Sequence, residues 1–338
     1  PIPIWLVMVW GIGILTFPFT FVVFRSFADR GYAFAKALGI LFVAWFAWTL
    51  SSYHILPFGR LPILFGLIVM VTYGLLIGRQ RWQEMRTYIR ANLRLLLIEE
   101  LVFFVFFAVD LVIRFRNPDL WHPWLGGEKP MDFAFLNAIL KTTYFPPYNP
   151  WFAGNYINYY YFGQLISAAL VRLSGIIPEV AYNLLVPLFF GLTASGVYGV
   201  VFNLVFSGRQ RLRSKAQESA EETSGSSIIF PSIAGIFGVI LVLIIGNLGE
   251  IKLAAKGLTG LGGGFGIAGV LSGLNKWLFD GQAIPIPIGD WYWTATRVIP
   301  ETINEFPFFT FVYGDLHAHL IAIPFALVAL GLAAHIVL

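Results

Sequence analysis

The stretch VAYNLLVPLFFGLTASGVYGVVFNLVF, residues 180–206, decides the fold class because it contains no charged residue. A run of about 20 apolar residues is long enough to cross the hydrocarbon core of a bilayer as a helix. Similar apolar runs occupy residues 4–24, 33–53, 62–78, 93–113, 228–248 and 316–338. The sequence therefore predicts an all-α, polytopic transmembrane helix bundle that forms a single transmembrane domain over residues 1–338.

The composition supports a membrane protein. Hydrophobic residues make up 58% of the chain and charged residues 12%, with a mean hydropathy of +0.75. A soluble domain has about a quarter of its residues charged, so lipid must solvate much of this surface. The absence of cysteine excludes disulfides, thiolate metal sites and cysteine nucleophiles. The net charge of +4 comes from short basic clusters between apolar runs, which predicts no nucleic-acid partner.

The basic clusters predict the orientation, because short cytoplasmic loops are rich in Lys and Arg. These clusters lie in residues 25–36, 79–94 and 209–215. All three are predicted to lie in the cytoplasm, which puts the N-terminus outside, most simply at the plasma membrane. The chain begins at Pro1 and stops at Leu338 inside an apolar run, so we expect a longer natural protein.

A count of crossings predicts one helix that does not span. Between the clusters 79–94 and 209–215 the number of crossings must be even. Span 93–113 supplies one of them, so only one more can come from residues 157–206. The longer run 180–206 is the better candidate, and 157–174 is therefore predicted as a juxtamembrane helix on the outer side.

The same count places two long loops, 114–156 and 249–315, outside the membrane. Within the second of them, the glycine-rich stretch Gly257–Gly273 predicts a mobile or closely packed loop. On the inner side, the polar stretch 207–227 predicts a flexible linker.

Ionisable residues inside span 93–113 have a structural interpretation. Glu99 and Glu100 could pair with Arg94, and Asp110 could pair with Arg114 one helical turn away. The sequence contains no GxxxxGK[ST] phosphate loop, no GxGxxG after a strand and no HExxH. The candidate chemistry therefore lies in the outer loops.

The first outer loop carries two carboxylates near a predicted helix over residues 130–141, whose first turn contains Pro130. Glu128 lies just before this helix and Asp132 lies in its first turn, where the helix dipole favours a carboxylate. Either group could act as a general base or help to hold a divalent cation. The structural alternative is that they cap the helix and pair with Lys129.

Aromatic residues with polar tips follow this loop, among them Trp151, Tyr159 and Tyr160. Such side chains can stack on a sugar ring, and they also suit the aromatic belt of a membrane interface.

The second outer loop ends in Gly314-Asp315-Leu316-His317-Ala318-His319. On a helix Asp315 and His319 would share a face, whereas in an extended segment His317 and His319 would share a side and could bind a metal. Ionisable groups at the mouth of a span indicate a functional site. The alternative is that Asp315 caps the following helix while the histidines reach water.

Three groups of motifs resemble one membrane family. They are Gly127-Glu128-Lys129-Pro130-Met131-Asp132-Phe133; Pro146-Pro147-Tyr148-Asn149-Pro150-Trp151 with Asn158-Tyr159-Tyr160-Tyr161-Phe162-Gly163; and Asn304-Glu305-Phe306-Pro307 with Gly314-Asp315-Leu316-His317. This is the YYY-domain family (DUF2298) of Chloroflexi and archaea. Where many members have Pro between the two histidines and Asp before Pro-Trp, this chain has Ala318 and Asn149.

The layout of that family resembles the GT-C glycosyltransferases, including enzymes like protein O-mannosyltransferases. This resemblance implies a polyprenyl-phosphate-linked sugar as donor, acidic residues in the first outer loop and juxtamembrane helices after it. It implies Asp132 as the base, with Glu128 as the alternative. Asp315, His317 and His319 would bind a divalent cation or the donor phosphate, Arg297 would contact phosphate, and Tyr159, Tyr160 and Trp151 would line the sugar path.

Two other functions are compatible with the sequence. A non-catalytic scaffold subunit with protein partners in the membrane would have its acidic and histidine side chains dispersed or paired with cations. A lipid or polysaccharide transporter would need a continuous polar path through the bundle.

Overall fold

The structure is a computed structural model that describes residues 1–122, 127–217, 227–246 and 248–338. These residues form helices and no β-strand, which confirms the all-α polytopic bundle. The helices are α1 (Ile2–Val23), α2 (Tyr32–Ser52), α3 (Arg60–Arg116), α4 (Lys129–Lys141), α5 (Tyr161–Ser174), α6 (Pro178–Gln217), α7 (Ile229–Ile240, followed by a π turn at Leu241–Ile245), α8 (Gly249–Gly262), α9 (Gly266–Phe279), α10 (Ile288–Trp293), α11 (Pro307–Tyr313) and α12 (Ala318–Val337).

Among the described residues, five helices are long and apolar enough to cross a membrane. They are Ile2–Val23, Tyr32–Ser52, Arg60–Ile77, Pro178–Ser214 and Ala318–Val337. A sixth would be Ile229–Ile245 together with Gly249–Gly262, if that broken pair is one span. The chain divides into two compact units, the first comprising Pro1–Val239 with Gly314–Leu338 and the second Ile240–Tyr313.

Helix α3 contains both runs 62–78 and 93–113, and it folds back on itself. Arg60 at its start donates from Nε to the carbonyl of Arg172 at 3.0 Å, and Arg114 near its end donates to Oδ1 of Asn183 at 2.8 Å. Arg172 and Asn183 lie on either side of the α5–α6 junction, so both ends of α3 lie at the same end of the bundle. The backbone leaves helical geometry at Asn92, with φ −114° and ψ 17°, where the reversal occurs.

The return arm of α3 is not among the five apolar spans. It contains Glu99, Glu100 and Asp110, and such side chains are costly within a bilayer unless they face partners inside the bundle. Glu100 does so, because its Oε1 accepts from Lys36 Nζ at 2.5 Å and from the Tyr32 hydroxyl at 2.6 Å. Glu100 was predicted to pair with Arg94, and the observed partner instead comes from α2.

The basic segments meet at one end of the bundle. Arg30 lies 3.7 Å from Glu84 on α3, and the Ser26 hydroxyl contacts Nδ1 of His335 near the end of α12 at 2.5 Å. Arg211 donates to the carbonyl of Leu338 at 2.9 Å. We call this the basic end of unit one.

Helices α4 and α5 pack at the opposite end, which we call the α4 end. Tyr161 at the start of α5 accepts a hydrogen bond from Trp48 Nε1 at 3.1 Å, close to the end of α2. Near the other end of α5, Arg172 bonds to the carbonyl of Leu140 and to Arg60. Both ends of α5 thus contact the same end of the bundle. At 14 residues the helix is about 21 Å long, shorter than the roughly 30 Å hydrocarbon core.

Unit two has helices where a loop was predicted for 249–315. The glycine-rich stretch Gly257–Gly273 forms the end of α8 and the start of α9, which pack against each other. A Cβ at Gly273 would overlap the carbonyl oxygen of Leu258, so these glycines allow two helix backbones to touch. The polar stretch 207–227 also differs from a simple linker, because α6 continues to Gln217; residues 218–226 lie outside the described residues.

Asn203 ties α6 to the loop between α1 and α2, and its replacement by alanine is expected to destabilise the basic end. Its Nδ2 donates to Asp29 Oδ1 and its Oδ1 accepts from the Ala28 amide, both at 2.8 Å. Because Asp29 is fully buried, losing one partner should cost about 1–3 kcal/mol. Thermal unfolding in detergent would measure this against Asn117→Ala, an exposed control; equal stability of the two variants would contradict the expectation.

Candidate functional site

The site at the α4 end is built on the turn before α12. Gly314 has φ +71°, and a Cβ there would lie 2.8 Å from an Nη atom of Arg114. Glycine is therefore required both by the left-handed conformation and by the close approach of the guanidinium. The turn is held on two further sides, since the Leu316 amide donates to the Tyr182 hydroxyl at 2.8 Å and Gln164 Nε2 donates to the Leu316 carbonyl at 2.5 Å.

Asp315 in this turn joins the first outer-loop motif to the last. Its Oδ1 accepts from Lys129 Nζ at 2.9 Å, and its Oδ2 accepts from the Glu128 amide at 2.9 Å. Asp315 and Lys129 are both buried, 6% and 5% exposed. A buried ion pair offsets its desolvation only with good geometry and added hydrogen bonds, and the Glu128 amide provides one.

The contacts match the structural alternatives for these residues only in part. Asp315 does not cap α12, whose N-cap is His317; its carboxylate lies at the N-terminus of α4 instead. Glu128 is the N-cap residue of α4, but its side chain makes no capping hydrogen bond, and its Oε2 lies 2.8 Å from His317 Nε2. Lys129 and Glu128 of the first outer loop thus contact Asp315 and His317, respectively. Lys129 and Asp315 are 186 residues apart in the sequence.

Asp132 lies in the first turn of α4 and is 2% exposed. Its Oδ2 is buried and accepts no hydrogen bond from the described residues. Burial and, to a smaller extent, the negative charges of Asp315 and Glu128 raise the pKa of Asp132 to about 8, while Lys129 opposes the rise. Burial also lowers the pKa of Lys129, while Asp315 favours its charged form. At neutral pH the cluster therefore contains a protonated Asp132 beside a charged pair.

The aromatic candidates are mostly exposed. The Tyr159 ring packs 6.1 Å from that of Phe135, one helical turn after Asp132, and 4.6 Å from that of Tyr160. Glu128 and Asp132 both act electrostatically on the Tyr159 hydroxyl, so this residue borders the carboxylate cluster. Tyr160 is 68% exposed and Trp151 is 63% exposed, and no contact between Trp151 and the cluster is observed among the described residues.

The histidines adopt the extended arrangement in part. His317 precedes α12 with φ −68° and ψ 155°, and its ring stacks on that of His319 with centroids 5.4 Å apart. Both Asp315 oxygens are occupied by other donors, and the described residues contain no group of three or more His, Asp or Glu side chains arranged as metal ligands. The residues present thus do not fit a divalent cation in this arrangement.

Arg297 lies in unit two. It donates to Thr296 Oγ1 at 2.6 Å, and its guanidinium lies 5.3 Å from the Trp293 ring centroid. Its predicted contact with phosphate stays a prediction.

Three side chains of the site could not be identified from the sequence, namely Arg114, Gln164 and Tyr182. Each is a polar residue within or at the end of an apolar run. The only available signal was that a polar group at such a position needs a partner inside the protein.

Together these observations define a polytopic helical membrane protein with a buried polar cluster at one end of its bundle. The chain belongs to the family described as uncharacterized membrane protein (DUF2298), whose sequence model matches residues 42–338. No curated protein and no solved structure matched the chain.

Proposed function

We propose that this protein is a glycosyltransferase that uses a polyprenyl-phosphate-linked sugar at the outer face of the plasma membrane. Asp132 is the base, and Glu128 is the alternative. The observation that carries the proposal is the buried Asp132 carboxyl, which has one oxygen without a donor among the described residues and a pKa of about 8. General bases work best when their pKa lies near the working pH, and enzymes raise carboxyl pKa values by burial and neighbouring charge for this purpose.

In the proposed orientation the basic end faces the cytoplasm and the α4 end faces outward. The positive-inside rule supports this, because residues of segments 25–36, 79–94 and 209–215 meet at the basic end. The N-terminus of α1 and the carboxylate cluster then share the outer side, where a lipid-linked sugar would be presented.

The transfer step needs only the residues of this cluster and the two substrates. Asp132 in its ionised form takes the proton of an acceptor hydroxyl, whose oxygen attacks the anomeric carbon of the donor. The bond between that carbon and the phosphate oxygen breaks, and polyprenyl phosphate leaves with the electron pair. Lys129, held by Asp315, supplies positive charge near the leaving phosphate. No step is assigned to a metal, because both Asp315 oxygens are engaged.

Tyr159 and Tyr160 are proposed to line the sugar path, since their rings border the cluster and present exposed faces for stacking. Trp151 would extend this path toward the acceptor, and His317 would orient Glu128 through their 2.8 Å contact.

A non-catalytic scaffold with protein partners in the membrane is the second candidate. It is favoured by the pairing of Asp315 with Lys129 and of Glu128 with His317. The Asp132 oxygen that accepts no hydrogen bond from the described residues supports the first candidate, because a purely structural cluster gains nothing from a carboxyl that is costly to ionise.

Transfer can be tested with membranes that contain the protein and with polyprenyl-phosphate sugars labelled in the sugar. The expected result is movement of label from the lipid to a more polar product for at least one sugar of a panel. A panel in which every donor stays intact, with protein shown to be folded, would contradict the glycosyltransferase and leave the scaffold.

The rate of transfer is expected to rise with pH through about 8. The pKa of Asp132 lies above its ordinary value of 3.8, so the carboxyl keeps its proton at neutral pH and becomes a base only as that proton is lost. A profile from about pH 6 to about pH 9 should follow one ionisation, while donor binding measured over the same range serves as control. A flat transfer profile would argue against Asp132 as the base.

A further inference from the structure

An apolar groove runs along unit one between α1, α2 and α3, and Phe162 of α5 lies at its edge. Its volume is about 650 Å³. The lining side chains are Thr16, Phe19, Leu38, Leu41, Phe42, Trp45, Val69, Met70, Tyr73 and Phe162.

The surface of this groove is almost entirely hydrocarbon. Thr16 is the one aliphatic hydroxyl in the lining, and its Oγ1 donates to the Ile12 carbonyl at 2.7 Å and contacts Met70 Sδ at 3.0 Å. That hydroxyl is therefore satisfied within the protein. Water in such a space would lack the two to four polar partners it needs, so the groove suits an apolar occupant.

The groove opens onto the lipid-facing surface of three candidate spans. Trp45, Val69 and Tyr73 at its rim are 46%, 40% and 50% exposed. From Leu38 to Trp45 it follows α2 for seven residues, about 10 Å along the helix axis, or roughly a third of the hydrocarbon core. An extended hydrocarbon chain lying along the bundle matches this shape.

The segment that begins α5 connects the groove to the carboxylate cluster. Tyr159 borders the cluster, and Phe162 three residues later lines the groove and packs its ring 5.6 Å from that of Trp48. Three residues of chain reach at most about 10 Å. The groove and the border of the carboxylate cluster therefore lie within the length of one amphiphile.

We propose that this groove binds the polyprenyl chain of the lipid-linked donor, an inference that rests on the proposed function. Residues 159–162 then separate the polar and the apolar parts of one substrate site. The phosphate lies at the boundary, near Lys129, and the chain runs toward Tyr73.

The test uses a polyprenyl phosphate with a photoreactive diazirine in its chain, applied to the full chain in membranes. In the wild type the cross-links should map to the groove-lining residues of α1, α2, α3 or Phe162. Leu41→Trp should fill the groove and lower this labelling by about tenfold or more. The matched control is Leu75→Trp, a lipid-exposed leucine on α3 outside the groove, which should label like the wild type.

Three outcomes would overturn the groove assignment. They are cross-links that map elsewhere in the wild type, labelling of Leu41→Trp at the wild-type level, and equal labelling by a photoreactive phosphatidylcholine that excess polyprenyl phosphate does not displace. The cross-link map of the wild type does not depend on whether any variant folds. Asp132→Asn should keep the labelling while losing transfer. If the wild type is labelled in the groove but transfers no sugar, the proposed glycosyltransferase function is refuted and the groove assignment is not.

Discussion

Replacing Asp132 by asparagine is expected to lower sugar transfer by about 10²–10⁴-fold, the usual contribution of a general base. The physical reason is that asparagine cannot accept the acceptor proton, although it has the same shape as the carboxyl. Stability should change little, because Asp132 is buried and carries its proton at neutral pH. The measurement is the initial rate of label transfer from a polyprenyl-phosphate sugar, at equal protein and donor concentrations.

Asp119→Asn is the matched control, since Asp119 is an exposed acid shortly before the same helix. It should transfer at the wild-type rate. Glu128→Gln separates the two candidate bases. If Glu128→Gln loses activity while Asp132→Asn remains active, Glu128 is the base. Equal transfer by the wild type and both variants would refute the assignment of a carboxylate base at this site.

Replacing Lys129 by methionine is expected to destabilise the protein by about 3–5 kcal/mol, the cost of leaving one partner of a buried ion pair uncompensated. Asp315 would keep the Glu128 amide at 2.9 Å but lose the cation at 2.9 Å, while remaining 6% exposed. Thermal unfolding in detergent would detect this loss. Lys141→Met, at the exposed end of the same helix, is the control and should unfold close to the wild type.

The double variant Lys129→Met with Asp315→Asn should recover much of the lost stability, because removing both charges of a buried pair is often neutral. Recovery would show that the cost comes from an unpaired carboxylate and not from packing of the lysine stem. If Lys129→Met is as stable as Lys141→Met, the Lys129–Asp315 pair does not hold the two segments together.

The fold class could be predicted because charge content and the length of apolar runs depend on the solvent, which is lipid for most of this surface. Residues 93–113 were predicted as a span from their apolar length, whereas the return arm of α3 is not among the five apolar helices. Its reversal at Asn92 involves neither proline nor glycine, and its carboxylates count against a span until Lys36 is seen beside Glu100. The helices of 249–313 were missed because glycine, which disfavours an isolated helix, here permits the α8–α9 contact.

The acidic members of the site were recognisable because carboxylates and histidines at the ends of apolar runs are rare and need partners. Their partners were not predictable. The structural alternative paired Lys129 with the carboxylates of its own loop, whereas the tertiary fold gives it Asp315. Likewise, the raised pKa of Asp132 results from its burial and from the charges of Asp315 and Glu128, and neither its burial nor its closeness to Asp315 can be predicted from one segment.

Sidedness is the most direct test of the account, because the proposed chemistry requires the carboxylate cluster and the basic segments to face opposite compartments. The chain has no native cysteine, so a single one can be placed at exposed Tyr160 beside the cluster or at exposed Arg90 in segment 79–94. A membrane-impermeant maleimide on intact cells should label Tyr160→Cys at once and Arg90→Cys only after permeabilisation. Labelling of both positions from the same side would contradict the account.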